Sequence, residues 1–105
     1  MMANYKPLPF GLTIKPSSIQ GLGVFTTIAI KQGTNLGMSH LQFGSQIIRT
    51  PLGGFLNHSD NPNCELCLEL DWDDYRTYNV YTTIGIYAGE ELTLNYHSDD
   101  LKYAD

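Results

Sequence analysis

The chain has 105 residues, a formal net charge of −5 and 42% hydrophobic residues, enough for one small core and too apolar for bulk disorder. Its six basic residues form no run that could follow a phosphate backbone, which speaks against nucleic acid as a partner. No apolar stretch approaches membrane-spanning length, so no membrane partner is expected. In chain order, Met1 to Pro7 lacks a basic flank followed by an apolar stretch, so no signal peptide is read and a cytoplasmic location is expected. Leu12 to Lys15 reads as a short strand ended by Pro16-Ser17-Ser18. Gly21-Leu22-Gly23 leads into Val24 to Ile30, a β-branched second strand. Gln46 to Arg49 is a third, stopped by Pro51. Asn57-His58 opens the turn-forming string Ser59-Asp60-Asn61-Pro62-Asn63. Cys64 to Leu70 alternates apolar and polar residues, the period of a strand with one wet face. Asp71 to Asp74 is a turn, Tyr78 to Tyr87 a long strand, and Leu92 to Tyr96 another. No segment keeps a helical apolar stripe for three turns, so the fold class is mainly β with little helix.

One internal echo stands out. Thr26-Thr27-Ile28-Ala29-Ile30 through Leu36 and Thr82-Thr83-Ile84-Gly85-Ile86 through Leu92 share the frame Thr-Thr-Ile-x-Ile-x-x-Gly-x-x-Leu. Each copy reads as a strand, a turn closed by glycine at positive φ, and entry into a further strand. This predicts two similar β-units in one domain.

The acids cluster at Glu65 to Asp74, at Glu90-Glu91 and at Asp99, Asp100 and Asp105. A lysine-rich substrate would be attracted by them, although acidity also serves solubility. Cys64 and Cys67 could chelate zinc only by recruiting two of His40, His58 and His97. No second close pair accompanies them, so they read as two thiols on a sheet and no metal site is expected.

Three segments carry chemistry. Gly21-Leu22-Gly23 precedes a strand and no long helix signal follows it, which argues against a dinucleotide fingerprint. Asn57 can donate and accept on one side chain, as recognition of an amino-acid head group requires; a plain asparagine turn is the alternative. Tyr96 closes Gly89-Glu90-Glu91-Leu92-Thr93-Leu94-Asn95-Tyr96 and, taken by itself, reads as an ordinary half-buried tyrosine with a hydrogen-bonded hydroxyl. Glu90 and Glu91 read as solvated turn charges.

In this order and spacing, the three segments resemble the SET domain, the fold of protein lysine methyltransferases that use S-adenosylmethionine. The resemblance runs from about Leu12 to Tyr96, within a single domain spanning 1–105 whose tail is 97–105. It implies a β-clip of small twisted sheets with a C-terminal pseudoknot, in which the Asn57-His58 segment meets the Leu92 to Tyr96 strand. It implies that Gly21, Leu22, Gly23, Asn57, His58 and Tyr96 bind S-adenosylmethionine, with S-adenosylhomocysteine as product. It makes Tyr96 the catalytic residue, where the cofactor pocket meets a lysine channel, and a lysine-containing protein or peptide the substrate.

The chain departs from the family in its short insert between Gly33 and Pro51 and in lacking a cysteine-rich zinc tail after Tyr96. Tyr103 or Leu101 is left to cover the adenine, and Leu66 stands where some relatives carry a channel tyrosine. Minimal viral members of similar size dimerise, which makes a homodimer an expectation by analogy, and for a viral chain the location would be the host cytosol or nucleus. The alternative reading is a non-catalytic SET-like module that binds a peptide at a strand edge.

Overall fold

The computed structural model describes residues 8–96, and Tyr103 and Leu101 lie outside the described residues. Among the described residues, eight strands and one short helix make up the secondary structure: β1 (Leu12–Pro16), β2 (Leu22–Thr26), β3 (Asn35–Phe43), β4 (Gln46–Arg49), α1 (Pro51–Phe55), β5 (Asn57–His58), β6 (Cys64–Trp72), β7 (Tyr75–Thr82) and β8 (Glu91–Leu94). They form two four-stranded sheets, ordered β1-β2-β8-β5 and β4-β3-β7-β6. Every strand pair is antiparallel except β5 with β8. No helix of the described residues is long and apolar enough to cross a membrane.

The internal echo is a structural pseudo-symmetry. Ile30 and Ile86 exchange backbone hydrogen bonds of 2.8 Å in both directions. The Gly33 N–H donates to the Thr82 carbonyl at 2.8 Å, and the Gly89 N–H to the Thr26 carbonyl at 2.7 Å. Thr82 N–H reaches the Thr34 carbonyl as Thr26 N–H reaches that of Glu90, both at 3.0 Å. Gly33 and Gly89 take φ of 82° and 93°, the left-handed turn conformation expected for them. Each unit therefore lends its last strand to the other: β3 pairs with β7, and β8 pairs with β2. That exchange brings the C-terminal strand into the N-terminal sheet.

Side chains from both units fill the core. Val24, Val80, Leu92 and Leu94 are fully buried, and Leu52, Leu56 and Cys64 close around them. Burying each such side chain is worth about 1.5–3 kcal/mol against leaving it exposed. The two thiols project to opposite faces of β6, as residues an odd number of positions apart must: Cys64 is buried and Cys67 half-exposed. Burial pushes the Cys64 thiol up to about 12.

The sequence expectation misses β3. Its alternation is interrupted by register shifts between Asn35 and Gly37 and between Met38 and His40, so Ser39 and His40, adjacent in sequence, are both buried. The strand expected over Tyr78 to Tyr87 starts earlier and stops at Thr82. There the Thr82 hydroxyl donates to the Lys31 carbonyl at 2.7 Å and accepts from the Thr34 N–H at 2.9 Å, turning the chain out of the sheet.

α1 is short but sets up the site. Thr50 caps it, its Oγ1 accepting from the Gly53 N–H at 3.3 Å and donating to the Met38 carbonyl at 2.8 Å. Pro51 stands in the first turn, where its missing N–H costs nothing. Leu56 then leaves the helix in an extended conformation and delivers Asn57 directly into β5.

Candidate functional site

β5 places Asn57 opposite Thr93 and His58 opposite Leu94 in a short parallel ladder, which the Ser59 N–H extends by donating to the Leu94 carbonyl at 2.9 Å. Asn63 completes the join. Its Nδ2 donates to the Glu91 carbonyl at 2.9 Å, and its Oδ1 accepts from the Thr93 N–H at 2.9 Å. A side-chain amide thus substitutes for a strand backbone. The turn-forming string after His58 is what makes the Asn57-His58 segment and the C-terminal strand adjacent.

The Asn57 side chain is oriented by three oxygens around its Nδ2: the Gln20 and Leu22 carbonyls, each at 3.2 Å, and Glu91 Oε2 at 2.8 Å. Three acceptors around two N–H groups identify that atom as the nitrogen. No protein donor among the described residues is matched to Oδ1, which remains as an acceptor. Gly21, at φ 47°, and exposed Leu22 form the turn and strand start whose backbone Asn57 grips.

Gly23 has a reason the sequence does not suggest. A Cβ there would lie 2.1 Å from Glu91 Oε2 and 3.1 Å from Asn57 Nδ2. The missing side chain makes room for the protein's own carboxylate and amide. Glu91 is therefore not a solvated turn charge. Its other oxygen accepts from Ser17 Oγ at 2.8 Å, so it joins the β1–β2 loop to β2 and β5. Glu90 does act as a turn residue, Oε1 accepting from the Tyr87 N–H at 2.6 Å.

His58 and Tyr96 meet on the other side of Asn57. The Tyr96 N–H donates to His58 Nδ1 at 3.1 Å, so that nitrogen carries the lone pair and Nε2 carries the proton, which faces Asp60 Oδ1 at 3.1 Å. The two rings lie 5.2 Å apart between centroids. The imidazole is thereby occupied in holding Tyr96. The Tyr96 hydroxyl donates to the Leu56 carbonyl. Burial holds its phenol above the ordinary tyrosine range, with Arg49 opposing the shift. It therefore stays protonated near neutrality, a hydrogen-bonding group and no base.

Tyr96 and Leu66 both pack against the hydrophobic core, to which buried Leu56 belongs. His40 lies in β3 opposite Arg49, its Nδ1 2.8 Å from Ser39 Oγ. Burial first, and the neighbouring Arg49 charge second, lower its pKa to about 4, so it is neutral in the interior.

A family model for the SET domain matches residues 40–97, more than half of the chain, and the chain belongs to that family. Among curated proteins it is similar to a histone-lysine N-methyltransferase, H3 lysine-36 specific, of Chaetomium globosum. The two are 36% identical over 70 residues, which is 67% of this chain and 8% of that protein. This chain thus spans only a small part of that relative's length. Among solved structures it is similar to a candidate histone methyltransferase of Plasmodium falciparum, with a TM-score of 0.69 and 20% identity over 88% of this chain and 95% of that one. It is also similar to a chain in a humanized mutant of the Chaetomium thermophilum Polycomb Repressive Complex 2, with a TM-score of 0.68 and 19% identity over 84% of this chain and 15% of that one. At these identities the structural likeness establishes the fold.

Proposed function

We propose that this chain is an S-adenosylmethionine-dependent protein-lysine N-methyltransferase. The observation that carries the reading is the Asn57 amide, locked through its nitrogen so that its oxygen is left to accept, with Tyr96 held by its backbone N–H to the adjoining His58. The donor set fits the cofactor: an acceptor oxygen and a carboxylate suit a ligand with an ammonium head and a sulfonium. Gly21, Leu22, Gly23, Asn57 and His58 would hold that ligand, and Tyr96 would sit at its reacting end. When bound, the cofactor supplies an electrophilic methyl group.

The remaining work falls to the chain's own residues. A lysine amine has an ordinary pKa near 10.4 and must be neutral to attack. Apolar surroundings such as the core against which Tyr96 packs, with the Arg49 charge close by, disfavour the ammonium form. A protonated Tyr96 phenol donates to Leu56 and keeps lone pairs with which to orient the incoming amine. Rate then comes chiefly from alignment. The acidic surface favours a basic substrate such as a lysine-rich protein segment.

Calorimetry with S-adenosylhomocysteine, followed by transfer of labelled methyl groups to a lysine-rich protein mixture, tests the reading. Binding with transfer supports it. Binding without transfer favours a non-catalytic module, and no binding overturns the cofactor assignment. Sedimentation over a concentration series tests the expected homodimer.

A further inference from the structure

We propose that Glu91 is the counter-ion for the ammonium head of the bound cofactor, an inference that rests on the cofactor reading above. The carboxylate is half-buried, and both groups hydrogen-bonded to it, Ser17 Oγ and Asn57 Nδ2, are neutral. Among the described residues no ion pair involves it. Lys15, on β1 opposite Gly23, places its ammonium over the Phe25 ring at 5.0 Å from the centroid. A carboxylate partly withdrawn from water without a cation is costly to keep.

The placement of the charge supplies the reason to keep it. Oε2 lies against Gly23, where even a methyl group would collide with it, and 2.8 Å from the amide nitrogen of Asn57. The same Asn57 presents Oδ1, to which no donor among the described residues is matched, from the other end of the amide. Acceptor oxygen and carboxylate thus act on one small region, bounded by the Gly21 to Gly23 backbone and β5. Two negative poles, with no ion pair to Glu91 among the described residues, match a positive group on the ligand. The part of the ligand that an asparagine and a glycine turn are suited to hold is its amino-acid head. Glu91 is accordingly a positioning residue that orients Asn57 and a charge that selects a cationic head.

The test is a cycle of two proteins and two ligands: wild type and Glu91→Gln against S-adenosylhomocysteine and its deamino analogue, with binding read by calorimetry. Glutamine keeps the shape and can still accept from Asn57 Nδ2, but it no longer accepts from Ser17 Oγ, a change both ligands meet alike; melting temperatures on the same preparations report the fold. A charge-assisted contact is about twice as strong as a neutral one. Glu91→Gln should therefore lose roughly tenfold in affinity for S-adenosylhomocysteine and almost nothing for the deamino analogue. Equal losses for both ligands, or no loss, would overturn the counter-ion role while leaving the cofactor reading intact. Wild type alone gives a second arm, which does not depend on the variant folding: it should bind S-adenosylhomocysteine well above the deamino analogue, and equal affinities would sink the inference. A wild type that binds neither ligand defeats the cofactor reading itself, and the counter-ion with it.

Discussion

The Tyr96 backbone N–H donates to His58 Nδ1 across 3.1 Å, tying the end of the C-terminal strand to the segment that carries Asn57. The tyrosine expected to act at the reacting end and the asparagine expected to hold the cofactor are thus positioned by one join. The His58 ring is the link between them.

Tyr96→Phe should lower single-turnover methylation at least tenfold, a loss of about 1.4 kcal/mol or more of transition-state stabilisation, while cofactor affinity changes little. The variant also leaves the Leu56 carbonyl without its hydroxyl donor, at a cost to stability of about 1–3 kcal/mol. Rates measured well below both melting temperatures separate the two effects. A phenylalanine variant as active as wild type would remove Tyr96 from catalysis.

Asn57→Ala removes the acceptor offered to the ligand and the donor that engages Gln20, Leu22 and Glu91. Affinity for S-adenosylhomocysteine should fall by about 1–3 kcal/mol, which titration calorimetry resolves easily. Unchanged affinity would place the cofactor elsewhere.

Gly23→Ala adds a Cβ that would lie 2.1 Å from Glu91 Oε2. Glu91 must move, and the Asn57 amide with it. Weakened binding of S-adenosylhomocysteine with a modest fall in melting temperature is expected, since the collision is with a side chain and not with the core. Wild-type binding in this variant would show that the close packing at Gly23 is dispensable.

His40 gives the fold a pH dependence. Its folded pKa is lowered to about 4, below the ordinary 6.5, so between these values the unfolded chain binds a proton that the folded chain does not. Stability therefore rises with pH across this window and is lost as pH falls from about 6.5 towards 4, by on the order of 3 kcal/mol from this residue. Urea melts at pH 7 and pH 5 on wild type and His40→Gln check it. The glutamine variant should show the shallower slope; identical slopes would clear His40 of the effect.

How far the sequence revealed this arrangement depended on whether a signal was local. The adjacency of Asn57-His58 and the C-terminal strand followed from recognisable motifs, and the repeated frame pointed to two similar units. β3 was hidden because its bulges destroy the alternation by which a strand is read. The strand after Tyr75 was misplaced because Thr82 and Thr83 look like strand residues, whereas the Thr82 hydroxyl builds a turn. Glu91 was misread because its partners, Ser17 and Asn57, lie far away in sequence and only the exchange of strands between units brings them to it. The one available hint was its place beside Leu92 at the start of a strand, where a carboxylate has to face some neighbour.

The most direct test of the central claim is mass spectrometry of a lysine-rich protein mixture incubated with the chain and a cofactor carrying a trideuterated methyl group. The account predicts the heavy methyl label on lysine side chains with wild type, and its strong reduction with Tyr96→Phe. A wild-type preparation that binds S-adenosylhomocysteine yet labels no lysine would contradict it.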